Sequence, residues 1–112
     1  MKLNKEKQDR AYSIKVTAQK EGQQVGRAYL YMIYNDLHDE PYGLLEDVKV
    51  QQDYRGQGIG TQLVEEIIEE AKNQGCYKLI ATSRDSRPEI HDWYEKLGFD
   101  NYGREFRMDF NE

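Results

Sequence analysis

Three glycines at alternate positions, Gly56, Gly58 and Gly60, lie in the stretch VQQDYRGQGIG, between an apolar-ended strand and an amphipathic helix. Glycine has no Cβ and lets a backbone come close to a ligand, while a helix start offers N–H groups without intrahelical partners. Together these make an anion site, most often one for phosphate. Two common phosphate motifs do not fit. A dinucleotide fingerprint reads G-x-G-x-x-G, but the sixth position counted from Gly56 is Thr61. A P-loop needs a lysine after its last glycine, and Thr61 follows Gly60. Kinase and hydride-transfer chemistry therefore lose their main support.

Other reactive side chains are few. On the strand before the loop, simple alternation puts Glu46 on one face with Leu44, Val48 and Val50. A carboxylate among apolar neighbours is partly desolvated, which raises its pKa toward a value useful to a base. A bulge would rotate it away. The plainer alternative is a strand-end glutamate that meets solvent or a lysine. Cys76 is the single cysteine, which excludes an internal disulfide and a multi-cysteine zinc site. It opens an apolar segment with no histidine beside it, so it reads as a small core residue rather than a nucleophile. His38 stands alone in NDLHDEPYG without the companions a structural metal site needs, and reads as a surface or acceptor-side histidine.

The elements that must position these residues follow from periodicity. Residues 13–19 alternate, with Ile14, Val16 and Ala18 on one face, and form a half-buried strand. After a turn at Glu21-Gly22, residues 28–34 (AYLYMIY) form a central strand, apolar on both faces, antiparallel to the first. Residues 44–50 are the third strand. Leu63, Val64, Ile67, Ile68 and Ala71 make one helix face, with Gly75 as the stop. Residues 76–82 (CYKLIAT) return as a strand, which completes a β-α-β unit with a parallel pair. Ser86 and Glu89 have capping-box spacing around Pro88, and Ile90, Trp93, Tyr94 and Leu97 form a second helical stripe ending at Gly98. Residues 104–110 alternate again, with Phe106, Met108 and Phe110 on one side, and are expected as a terminal strand.

At 112 residues the chain is expected to be one domain, 1–112. Its 38% hydrophobic and 33% charged composition reads as soluble and globular, and the order of its elements as an α/β (α+β) chain. It lacks an apolar run long enough for a membrane span and opens on a polar stretch, so a cytoplasmic protein with no membrane partner is expected. A net charge of −5 argues against nucleic acid as a partner. The acid in EEIIEE, Asp39–Glu40 and Glu46–Asp47 reads as a solvated helix face plus loop charge.

Arg55, Gly58 and Gly60 spell R-x-x-G-x-G after a strand and into a helix, and WYEKLGF (Trp93 to Phe99) follows about forty residues on. LEDVKVQQDYRGQGIGTQLV together with WYEKLGF resembles the two signatures of the GNAT superfamily of N-acetyltransferases, over roughly residues 44–110. The resemblance implies a GNAT acyl-CoA fold: a mixed central sheet of about six strands with two main helices. It implies acetyl-CoA as co-substrate and no metal. The backbone of Arg55, Gly56, Gln57, Gly58, Ile59, Gly60 and Thr61 would surround the pyrophosphate. That of Val48, Lys49 and Val50 would hold the pantetheine arm and polarise the thioester. By the same resemblance Glu46, in LED, matches a general base of polyamine N-acetyltransferases, and Tyr94 matches the acid that protonates the departing thiolate. The alternative for Tyr94 is a core tyrosine on the helix stripe.

Arg87 stands where the family often has a cofactor-contacting asparagine. Only about eight residues separate the first two strands, leaving no room for the two helices that usually wall the acceptor site. The acceptor site is then open, completed by a second subunit, or suited to a large substrate, and a homodimer is compatible with this. GCYKL and EDV are also similar to glucosamine-phosphate N-acetyltransferases. Acidic charge near the site would favour a cationic polyamine or amino sugar. The leading reading is acetyl transfer to the primary amine of a small molecule or protein. The alternatives are a non-catalytic acyl-CoA-binding module that acts as a sensor or complex subunit, and a structural domain whose glycine loop is only a tight turn.

Overall fold

The computed structural model describes residues 1–84 and 86–111. Its elements run β1 (Tyr12–Lys20), β2 (Gln23–Ile33), β3 (Tyr42–Val50), a 3-10 turn (Gln52–Tyr54), α1 (Ile59–Asn73), β4 (Leu79–Ala81) and α2 (Pro88–Lys96). The sheet has the order β1-β2-β3-β4. The chain divides into two compact units, Met1–Ile80 and Ala81–Glu112.

In the first unit β1 and β2 form the expected antiparallel hairpin, with Ile14, Val16 and Ala18 opposite Leu30, Ala28 and Gly26. Its turn is Glu21 (φ 53) and Gly22 (φ 78), both left-handed as the favoured two-residue hairpin loop requires. Two residues, not about eight, therefore separate the strands. Lys20 pairs directly with Gln23 because ladder pairing uses backbone groups and does not need apolar side chains. Between Gln24 and Gly26 the hairpin bulges at Val25. Val25 is buried, and its carbonyl accepts the Gln51 N–H at 2.8 Å.

β2 is central, as its sequence implies, but its two faces differ. Ala28, Leu30 and Met32 are fully buried under α1, whereas Tyr29 and Tyr31 stack on the outer face and Tyr31 remains 40% exposed. β3 lies antiparallel to β2. Tyr77 N–H donates to Pro41 O and Gly43 N–H to Lys78 O, bonds that advance in the same sense along both segments, so β4 runs parallel to β3. Gly43 lets these layers meet: a Cβ there would lie 2.8 Å from Leu30 Cδ1 and 3.0 Å from Leu79 Cδ1.

Leu63, Val64, Ile67 and Ala71 of α1 are buried on the sheet, as the periodicity requires, and Ile68 is half-buried at the stripe's edge. The helix ends in a Schellman motif: left-handed Gly75 donates to Lys72 O, and Cys76 donates to Ala71 O.

Four expectations do not hold as stated. The described residues form four strands, not about six. Residues 104–110 are not a strand, and Phe106 and Phe110 are 92% and 91% exposed. Alternation fixes the faces a strand would have, but a strand forms only where a neighbour completes its ladder. The capping box is not formed either. Arg87 takes the N-cap of α2 without a side-chain cap, and Glu89 instead accepts from Arg87 Nε at 3.0 Å. The 76–82 strand shrinks to Leu79–Ala81, because the Schellman motif carries the chain through Cys76 before pairing begins. No helix among the described residues is long and apolar enough to cross a membrane.

Candidate active site

β3 reaches the glycine loop only after a change of phase. Between the pairs Tyr29↔Glu46 and Arg27↔Lys49, β3 carries one more residue than β2. The bulge holds Asp47 at φ 54, a left-handed conformation that costs a non-glycine residue about 1–2 kcal/mol. Arg27 secures it with a two-pronged contact, Nε to Oδ2 at 2.8 Å and Nη2 to Oδ1 at 3.1 Å. The hydrogen bond and charge of Arg27, with Lys49 and Lys15 beyond it, hold the Asp47 carboxyl below the usual carboxylate range.

The bulge moves Glu46 to the opposite face from Val48 and Val50, because a one-residue shift exchanges the faces of a strand. Leu45 is 2% exposed against the core. Val50 pairs with Gly26 on the α1 side and is half-buried, like Val48. Glu46 and Lys49 are exposed on the outer face. The partly desolvated Glu46 that alternation implied is therefore absent. Its ladder neighbour is Tyr29, whose ring has Lys15 Nζ 5.7 Å from its centroid.

At the end of β3 the chain is pinned. Gln51 Nε2 donates to Gln24 O, and Arg55 Nε donates to Val50 O at 3.0 Å. The Arg55 N–H is turned inward as well, donating to Gln52 O at 3.3 Å. The open part of the loop thus begins at Gly56 (φ 80). Gly58 (φ 82) is the N-cap of α1, and the first helical bond runs from Gln62 N–H to Gly58 O. No side chain caps this end, and no acidic residue occupies the first turn. The positive end of the helix is left for an anion. Gly26 lets that end sit close to β2: a Cβ there would be 3.0 Å from Leu63 Cδ1 and 3.3 Å from Ile59 Cγ2. Gly60 and Thr61 lie half-buried in the first turn.

One residue at this loop was not anticipated. Lys20 Nζ donates to Gln57 Oε1 at 2.8 Å and lies 5.9 Å from the Tyr54 ring centroid. The sequence signal was present in part, because Lys20 continues the inward alternation of Ile14, Val16 and Ala18. What was missing was the hairpin length that aligns its tip with the loop.

Tyr94 and Arg87 belong to the second unit. Tyr94 is half-buried, and its ring packs edge-on against Phe99 at 5.3 Å. Left-handed Gly98 donates to Glu95 O, and Phe99 donates to Tyr94 O, so WYEKLGF ends α2 in a Schellman motif whose apolar contact is Tyr94 with Phe99. Arg87 and Glu89 pair while more than half exposed.

Of the remaining candidates, Cys76 is half-buried with its Sγ 3.7 Å from Met32 Sδ, and burial pushes its thiol pKa up. It is a packing residue, as expected. His38 packs on Tyr77 at 4.0 Å between centroids. Among the described residues, no group of three His, Cys, Asp or Glu is placed to hold a metal ion.

Comparison with known proteins gives this arrangement a context. The model of the acetyltransferase (GNAT) family matches residues 2–99. Glucosamine 6-phosphate N-acetyltransferase of Trypanosoma brucei brucei is 42% identical over 67 residues, covering 60% of this chain and 44% of that protein. Thialysine N-epsilon-acetyltransferase of Bos taurus is 39% identical over 54 residues, covering 48% of this chain and 32% of that protein. The chain thus spans less than half the length of these two curated relatives. Among solved structures, an acetyltransferase of Trypanosoma brucei superposes with a TM-score of 0.76 at 33% identity, covering 88% of this chain and 69% of that one.

Proposed function

This chain belongs to the GNAT acetyltransferase family, and on that premise we propose that it transfers an acetyl group from acetyl-CoA to the primary amine of a small molecule. The observation that carries the reading is the junction of β3 and α1. Two left-handed glycines, Gly56 and Gly58, lead into a helix start with neither a side-chain cap nor a first-turn acid. Those features fit the pyrophosphate of coenzyme A, held by backbone from Gly56 through Thr61. Arg55 serves this cradle indirectly, by tying the loop to Val50 O. The backbone of Val48, Lys49 and Val50 then holds the pantetheine arm, and a backbone N–H of this stretch polarises the carbonyl.

Acetyl-CoA supplies the activated acetyl thioester. A bond forms from the amine nitrogen to the acetyl carbon, the carbon–sulfur bond breaks, and one proton moves from nitrogen to sulfur overall. Glu46 is the proposed base. Its exposure beside the bulge suits it to take the proton directly or through a water. Tyr94 is the proposed acid for the departing thiolate, and Arg87 a further cofactor contact. Both named relatives act on small amines, an amino sugar phosphate and a lysine analogue, which supports that acceptor class.

The test has two stages. Saturating coenzyme A should raise the melting temperature by mass action, and acetyl-CoA should release thiol faster with at least one member of an amine panel that includes glucosamine 6-phosphate and thialysine. Absence of any thermal shift would sink the proposal. A shift without amine-dependent release would favour the second reading, an acyl-CoA-binding module without turnover. That reading draws on the open outer face, where Tyr31 and Glu46 meet solvent.

A further inference from the structure

We propose that Lys20, at the tip of the β1–β2 hairpin, supplies a cationic contact to the phosphates of bound coenzyme A. The inference rests on the acetyl-CoA reading above and adds to it a residue outside the family's glycine motif. A backbone cradle provides dipoles but no full charge, and the chain carries a net charge of −5, so a polyanionic nucleotide needs a local cation. Arg55 is the motif's own cation, and one of its five N–H donors is directed to Val50 O. Lys20 comes from a different part of the chain. It lies on the α1 side of β1, and its ammonium donates to Gln57 Oε1, the side chain of a residue inside the loop, at 2.8 Å. The ammonium also lies 5.9 Å from the centroid of the Tyr54 ring, and none of the ion pairs found among the described residues includes it. Both neighbours are uncharged. Lysine has three N–H donors, and Gln57 uses one.

Two features fix the backbone that carries this side chain. The two-residue turn at Glu21 and Gly22 ends β1 at Lys20. The Gln51 N–H to Val25 O bond ties the hairpin's base to the start of the loop. The hairpin tip and the glycine loop are thus joined on both the backbone and the side-chain level. The chemistry recognised is a phosphate, either the pyrophosphate or the 3′-phosphate.

The experiment measures the dissociation constants of coenzyme A and dephospho-coenzyme A for the wild type, Lys20→Gln, Lys20→Arg and Lys15→Gln. Lys15 lies on the outer face and makes the same change in net charge. Lys20→Gln should weaken coenzyme A binding about tenfold, the usual scale of one charge-assisted contact, while Lys20→Arg and Lys15→Gln stay within about twofold of wild type. An equal loss with dephospho-coenzyme A assigns the contact to the pyrophosphate, and a loss confined to coenzyme A assigns it to the 3′-phosphate. Unchanged affinity in Lys20→Gln, or an equal loss in Lys15→Gln, would overturn the inference while leaving the acetyl-CoA reading intact. A wild type that binds neither nucleotide overturns both.

Discussion

Glu46 and Asp47 are adjacent carboxylates with different tasks. Asp47 holds a left-handed backbone through Arg27, while Glu46, the proposed base, is exposed on the outer face. Because Arg27 lowers the folded-state pKa of Asp47, the stability from this pair is complete above the ordinary aspartate range. It is lost as pH falls through the depressed folded value. Arg27→Leu should therefore melt below wild type at neutral pH, and the two curves should converge in acid. A gap that stays constant with pH would exclude the pair as its source. Tyr94→Phe should cut turnover about 10²-fold and leave coenzyme A affinity unchanged, as loss of a general acid does. Equal turnover would remove the phenol from the chemistry. Phe can keep the ring contact with Phe99, so a large fall in melting temperature is not expected.

At the scale of elements, WYEKLGF has a physical reading beside its chemical one. Its Tyr, Gly and Phe fall at the positions a Schellman motif uses, so the signature stops α2 and packs Tyr94 in one device. The stop at Gly98 was legible in the sequence, as was the buried face of α1, because a terminal glycine and helical periodicity are local signals, whereas the Ser86 and Glu89 spacing misplaced the start of α2. The face of Glu46 was not legible, since a bulge adds a residue without altering the alternation of residue types. The tail strand failed for a related reason: Phe106, Met108 and Phe110 alternate correctly but lack a ladder to join. Gly43 gives the element-scale prediction. Gly43→Ala places a methyl against Leu30, a fully buried side chain, and should cost about 1–3 kcal/mol in denaturant melts. A neutral outcome would mean that Leu30 has room to move.

At the scale of the molecule, the core of the first unit is one layer of sheet under α1, built from Val25, Ala28, Leu30, Met32 and Leu45 against Leu63, Val64, Ile67 and Ala71. The order of elements pointed to an α/β chain, and the glycine loop marked the candidate anion site. The contact of Lys20 with Gln57 depends on a hairpin register that side-chain type does not encode. Exposed apolar side chains at the C-terminal tail contribute little to that core. Replacing Phe106, Met108 and Phe110 together with serine should leave stability within about 0.5 kcal/mol and reduce binding of an apolar dye. A larger loss of stability would show that the tail packs in solution.

The bulge at Asp47 also bears on how such a strand can change over generations. Its first half is locked by Gly43 between Leu30 and Leu79, and its second half by the link from Val50 to Arg55. Deleting the single codon at 47 would restore plain alternation, pairing Val48 with Ala28 while Leu45 stays inward and Glu46 outward. Only a second deletion between the two locks would turn one half over. Residue 47 is therefore a spare that the ladder can lose without exchanging faces, and what goes with it is the kink and its tether to Arg27.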